Sequence, residues 1–162
     1  MVGAAGLCIQ ARLGGVINTA TTDRDTALAL CQGWADLWNG DLSQAEQIVA
    51  AGFTVNAAIV GVDGASVQGR QGVAGWVALL RTALGEPVFT VEVGPIIDGD
   101  LVCGRWHLQG EYAGGMPGAT AAPGSRVDFT GTDILRIAGG VFAEYWLNSD
   151  VHVMAAQLGM TA

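Results

Sequence analysis

RVDFTGTDILRIAGGVFAEYW, residues 126–146, is the stretch on which the fold turns. In its first half Val127, Phe129, Gly131, Asp133, Leu135 and Ile137 fall on one side of an extended chain and Asp128, Thr130, Thr132 and Arg136 on the other. Ala138-Gly139-Gly140 has the residues of a tight hairpin turn, and Val141 to Trp146 reads as the returning strand. Upstream, LVCGRWHLQGEY (101–112) alternates in the same way. Val102, Gly104, Trp106, Leu108, Gly110 and Tyr112 oppose Cys103, Arg105, His107, Gln109 and Glu111. Asp98-Gly99-Asp100 joins this strand to another over Val88 to Ile97. Consecutive hairpins of this kind make a sheet with one apolar face that something else must cover.

The cover lies on the N-terminal side. Asp23 or Asp25 can cap a helix in which Ala27, Leu28, Cys31, Trp34, Ala35 and Trp38 recur at helical spacing. Asn39-Gly40-Asp41 ends it, and Leu42 to Ala50 reads as a second, shorter helix. A strand over Phe53 to Val60 and a glycine-rich turn at 61–64 precede a third helix, Gln71 to Leu84, striped by Val73, Trp76, Val77, Leu80 and Leu84. Ala113 to Ser125, rich in Gly and Pro, reads as a flexible hairpin loop at a rim, and Val151 to Leu158 as a short closing helix. The expectation is one α+β domain over residues 23–162 behind an N-terminal arm, 1–22, with helices against one face of the sheet.

Composition limits the partners. The chain has 162 residues, 51% hydrophobic and 14% charged, enough for a single large core. Seven basic residues, all Arg, against 15 acidic ones give a formal net charge of -8, which argues against nucleic acid or an anionic membrane as partner. The absence of Lys removes Schiff-base catalysis by that residue. Cys8, Cys31 and Cys103 form neither a disulfide framework nor a CxxC zinc motif, so the expected setting is a reducing cytoplasm. The N-terminal stretch, interrupted by Arg12, does not read as a secretory signal. Neither a phosphate-binding loop, nor a dinucleotide fingerprint, nor GxSxG is present, and no cofactor or metal is called for.

One residue breaks the inner row of the decisive strand: Asp133. A carboxylate on an apolar face must be neutralised, hydrogen-bonded or put to use. It reads either as an acid, base or ligand anchor, or as a core carboxylate held by Tyr, Trp or backbone donors. Asn56, at the end of FTVN, is a weaker pocket candidate. Trp34, Trp38, Trp106, Tyr112, Tyr145 and Leu147 are expected on the walls of the core or pocket. His107 falls in the outward row and His152 at the start of the closing helix, so the two form no site by spacing. In the last strand Val141, Ala143, Tyr145 and Leu147 are expected inside, and Phe142 and Trp146 outside under a second subunit packed sheet to sheet.

Four segments together resemble the SnoaL-like polyketide cyclases of the nuclear transport factor 2-like superfamily. They are WADLWNGDL (34–42), GRWHLQGEYAGGMPG (104–118), FTGTDILRIAGGVFAEYW (129–146), and Asp150 with QLG (157–159), so the likeness spans about residues 25–159. It implies a cone of three N-terminal helices on a strongly curved mixed sheet that encloses an apolar pocket, in a homodimer. The implied activity is cofactor-independent cyclisation, isomerisation or dehydration of a hydrophobic polyketide-like or terpenoid-like molecule by acid–base chemistry; the alternative is a non-catalytic binder or carrier using the same pocket. Asp133 is the catalytic residue the likeness suggests. It stands where the cyclases place a His, Leu147 where they place an acidic residue, and Tyr112 where GTHxG has its His. The charged set of the related limonene-epoxide hydrolases would need charges near Trp106, Leu108 and Leu147, and these are absent.

Overall fold

The computed structural model describes residues 22–57 and 64–160. Almost all of the expected N-terminal arm, with Cys8, and the turn at 61–63 lie outside them. Helix α1, Arg24–Trp38, is capped by Asp23, whose carboxylate accepts from the Thr26 backbone N–H at 3.3 Å. Its buried face carries Ala27, Leu30, Trp34, Leu37 and Trp38, while Leu28, expected on that stripe, is exposed. Helix α2 is only Gln44–Ile48, because the chain is already extended at Val49. Strand β1 therefore runs Val49–Asn56, four residues ahead of the start expected at Phe53. Expected strand residues 58–60 lie outside the described residues. Helix α3, Gly69–Ala83, begins two residues earlier than the expected Gln71, and its stripe of Val73, Trp76 and Val77 is buried as expected.

The remaining strands are β2 (Val88–Asp98), β3 (Leu101–Glu111), β4 (Arg126–Ala138) and β5 (Val141–Ser149), and α4 (Val151–Gln157) follows. They form one curved, unclosed mixed sheet in the order β1-β5-β4-β3-β2. The parallel pair is β1 with β5, which the α3 crossover makes possible, and the other pairs are antiparallel hairpin partners. The α+β architecture is as expected, with a fourth helix beside the three N-terminal ones. No helix among the described residues is long and apolar enough to cross a membrane.

The alternation expected of β3 and β4 is realised in full register: Val102 faces Leu135, Gly104 faces Asp133, Trp106 faces Gly131, and Leu108 faces Phe129. Strand β5 departs from expectation. Arg136 pairs with Glu144 and Ile137 with Phe142, leaving Ala143 as an extra residue in a bulge. The bulge shifts the facing by one residue, so Phe142 and Tyr145 are both fully buried in the core, and Phe142 does not lie on the outer face. Trp146 does, partly exposed beneath the Arg136 guanidinium, 5.6 Å from its ring centroid.

Candidate functional site

Two chambers lie between the helices and the inner face of the sheet. The larger, about 220 Å³, is walled by Trp38 and Trp76 from the helices, Phe89, Trp106 and Tyr145 from the sheet, and Met116 from the 113–125 loop, among other residues. The smaller, about 50 Å³, holds Asp133 with Cys31 and Trp34. Phe89 and Trp106 border both and form the partition. Burial pushes the Cys31 thiol up to about 11, so it is a neutral wall group.

Asp133 is the polar centre of the core. Its Oδ1 accepts from Trp106 Nε1 and from the Tyr145 hydroxyl, each at 2.7 Å, and Oδ2 accepts from Trp34 Nε1 at 2.9 Å. The donors come from α1, β3 and β5, so one carboxylate pins three elements together. Gly131 makes the arrangement possible: a Cβ there would lie 2.2 Å from Trp106 Cζ2, and its absence lets the indole lie across β4 toward Asp133. Burial pushes Asp133 up to about 6, while the hydrogen bonds from Tyr145, Trp34 and Trp106 pull the other way. Tyr145 is raised well above its ordinary value by burial, and further by the charge on Asp133.

The other chamber has a different chemistry. Among the described residues no Asp, Glu, His or Arg lines it; its side-chain polar groups are the Thr82 and Ser149 hydroxyls and aromatic N–H or O–H groups. Trp38 stacks on Phe89 at 5.7 Å and 16°, and Trp76 meets Trp38 edge to face at 5.2 Å and 85°. The stack is held from behind. Asn39 donates to the Phe89 carbonyl and accepts from the Phe89 N–H, both at 3.0 Å, and buried Arg81 donates to the Trp38 carbonyl at 2.7 Å and to Glu86. These two positioning residues were not legible as such: Asn39 reads only as a helix stop, and Arg81 as one polar residue on an amphipathic helix.

The expected site residues therefore divide. Asp133, Trp34, Trp106 and Tyr145 come together in the hydrogen-bonded cluster. Trp38, Trp106, Tyr145 and Leu147 line the large chamber. Asn56 does not join them: Val55 points inward, so its neighbour faces out, exposed, over a shallow groove beside Gln68. Tyr112 is buried behind the 113–125 loop, where its hydroxyl accepts from the Met116 N–H at 3.1 Å, and it is not a wall residue of the chamber. That loop, expected to be flexible, is tied down by Thr120 and Ala121 N–H groups donating to the Leu158 carbonyl. His107, on the outer face, hydrogen-bonds Asp128 at 2.5 Å, and His152 is exposed. Among the described residues no three His, Cys, Asp or Glu side chains are grouped to share a metal ion.

A family model described as SnoaL-like polyketide cyclase matches residues 29–158, and the chain belongs to that family. Among solved structures, TsrD from Streptomyces laurentii superposes with a TM-score of 0.72 at 21% identity, covering 86% of this chain and 99% of that one. Wild-type IdmH, a proposed polyketide cyclase from Streptomyces antibioticus, superposes with a TM-score of 0.68 at 24% identity, covering 82% of this chain and 98% of that one. A Catenulispora acidiphila protein with a ketosteroid isomerase-like fold, solved with trimethylamine, gives 0.63 at 20% identity, with 82% and 93% covered. These likenesses establish the fold. No curated relative matches the sequence.

Proposed function

We propose that the large chamber takes up a hydrophobic polyketide-like or terpenoid-like small molecule. The observation that carries this reading is the chamber itself: about 220 Å³, aromatic and aliphatic on nearly every side, with few polar groups and no charged side chain among the described residues. Membership of the SnoaL-like family supports the same substrate class. A thermal-shift screen with polycyclic ketones, esters and epoxides tests it, since a ligand bound only by the folded state raises the melting temperature. Stabilisation by at least one such class is expected; none across the set removes the reading.

A catalytic reading, a cofactor-independent cyclase, isomerase or dehydratase, is favoured by one specific observation. Tyr145 and Trp106 both line the chamber and both donate to Asp133, so the carboxylate is one side chain away from a bound molecule. In that reading Asp133, poised near 6, exchanges a proton with a group beside a substrate carbonyl once the Phe89–Trp106 partition yields. Asp133→Asn separates the two. Ligand-induced shifts equal in both proteins, with no product on incubation, support a binder; turnover lost in the variant alone supports the enzyme.

A homodimer through the outer face of the sheet belongs to the same proposal. Ile96, Cys103, Ile134 and Trp146 stand in one register row across four strands of that face. Ile96 and Val93 are more than half exposed. Such a row can meet its own copy about a two-fold axis. Sedimentation of the wild type as a dimer, and of Trp146→Glu as a monomer, is the expected result; a monomeric wild type discards it. The free thiols of Cys31 and Cys103 accord with a cytoplasmic setting.

A further inference from the structure

Among the described residues, six side chains with an N–H or O–H group line the large chamber, and five of them have no donor to spare for a bound molecule. Trp106 and Tyr145 donate to Asp133, and Thr82 donates to the Ala78 carbonyl one turn back at 2.9 Å. The Trp38 and Trp76 N–H groups are buried and do not open onto the chamber. Ser149 is the sixth. It is the last residue of β5, and the unbroken register with β4, from Leu135 against Tyr145 to Gly131 against Ser149, puts it on the inner face in one row with Tyr145 and Leu147. The residue is partly exposed, and its hydroxyl has no hydrogen-bond partner among the described residues.

We propose that the Ser149 hydroxyl is the polar anchor of the chamber, and that it holds an uncharged oxygen at one end of an elongated apolar molecule. The inference rests on the chamber being a binding site for a hydrophobic small molecule. It adds the residue that orients that molecule, the direction in which the molecule lies and the kind of group it carries. Leu147 and Val151, which flank Ser149 along the chain, are partly exposed chamber walls, whereas Trp38, Trp76, Phe89 and Trp106 are buried and in ring contact with one another. The polar end therefore stays at the mouth and the apolar skeleton runs inward. Tyr145 lies four residues from Ser149 in the same row, about 13 Å along the strand, so a molecule anchored at the mouth passes over Leu147 and meets Tyr145 with its far part. An uncharged group follows from the surroundings of the hydroxyl. Among the described residues no Arg or His lines the chamber, and the residue after Ser149 is Asp150, whose carboxylate accepts from the Thr130 hydroxyl at 2.5 Å. A carboxylate or phosphate held by Ser149 would lose water, find no counter-charge and stand near a like charge. A carbonyl takes the proton of the serine hydroxyl, and an alcohol or phenol takes either that proton or a lone pair.

The test measures the binding of 2-acetylnaphthalene and 2-isopropenylnaphthalene, a ketone and the hydrocarbon with a CH2 group in place of its oxygen, to wild type and Ser149→Ala. The substitution is expected to weaken the ketone about fivefold, as the loss of one hydrogen bond does, and to leave the hydrocarbon nearly unchanged. The infrared carbonyl stretch of the bound ketone is expected at lower frequency in the wild type than in the variant, because accepting a hydrogen bond lowers it. 2-Naphthoate is expected to bind the wild type more weakly than the ketone; tighter binding overturns the uncharged assignment. Equal weakening of ketone and hydrocarbon overturns the anchor, since Ser149 would then act through packing alone. A ketone affinity and carbonyl band that the substitution leaves unchanged overturn it too, while the binding of both probes keeps the chamber's function standing. Failure of the wild type to bind any of the three takes both readings down together.

Discussion

Two pairs of tryptophans in one core have opposite fates. Trp34 and Trp106, with Tyr145, converge on a single carboxylate that can accept all three hydrogen bonds. Trp38 and Trp76, whose rings wall the larger chamber, have buried N–H groups with no acceptor among the described residues. The first arrangement is complete within the chain, and its cost, an aspartate taken out of water, is offset by three donors. The second is unsatisfied among the described residues, and close packing of the rings has to offset its cost. The contrast teaches that Asp133 and the chamber answer different needs. The carboxylate ties α1, β3 and β5 into one body, and the chamber that this body encloses is walled almost wholly by apolar surface.

The strongest way to break the comparison is to remove the carboxylate. Asp133→Ala leaves three buried donors without an acceptor, and each such group costs about 1–3 kcal/mol. A loss of about 4 kcal/mol is expected in urea unfolding, allowing for partial relaxation. A loss under about 1 kcal/mol would mean that the cluster does not hold the fold. A second consequence is a pH dependence of known sign. Burial raises Asp133 from 3.8 to about 6, so between these values the folded chain holds a proton that the unfolded chain has released. The stability this contributes is fully present below about pH 4 and is lost as pH rises through 6, by an amount on the order of 2–3 kcal/mol. Asp128 acts in another window. Its hydrogen bonds from His107, then Arg126 and Gln109, hold it below the usual carboxylate range, so its contribution is present above about 4 and fades only as pH falls further. Unfolding free energies across pH 4–7 are expected to fall in the wild type and to fall less in Asp133→Asn; parallel curves would show that Asp133 is not the titrating group.

How much of this could be read from residues alone depends on what kind of fact each is. The two long strands and their inner rows were legible because a half-buried strand must alternate, and Asp133 was legible because it interrupts that alternation. Helices α1 and α3 were legible from apolar spacing and an Asp cap. The bulge at Ala143 was not: it has no residue signature, and without it period-two reading sends Phe142 to the wrong face. Asn56 went astray similarly, since the start of β1 at Val49 and its inward Val55 are set by the parallel pairing with β5, which no local pattern announces. Three of the wall aromatics could be named, yet their convergence on one carboxylate needs α1 docked on the sheet, 99 residues away in sequence for Trp34. The unpartnered indoles were the least legible of all, because a tryptophan that finds an acceptor and one that does not are the same letter at the same spacing.

Trp34 and Trp38 make that last point testable within a single helix. They are four residues apart on the same buried face of α1, with ring centroids 6.3 Å from one another, so helix propensity, burial and aromatic packing are nearly matched. Trp34→Phe removes packing and a donor to a buried carboxylate, and that carboxylate is then under-satisfied. Trp38→Phe removes similar packing, but the N–H it deletes was itself a buried group without a partner among the described residues, so part of the loss is returned. Trp34→Phe is therefore expected to cost about 1–2 kcal/mol more than Trp38→Phe. The difference should vanish in an Asp133→Asn background if it arises at the carboxylate, because a double-mutant cycle then shows coupling of position 133 to 34 and none to 38. Equal costs for the two substitutions, or equal coupling to 133, would show that the hydrogen-bonding contrast between the two sides of the core has no energetic weight.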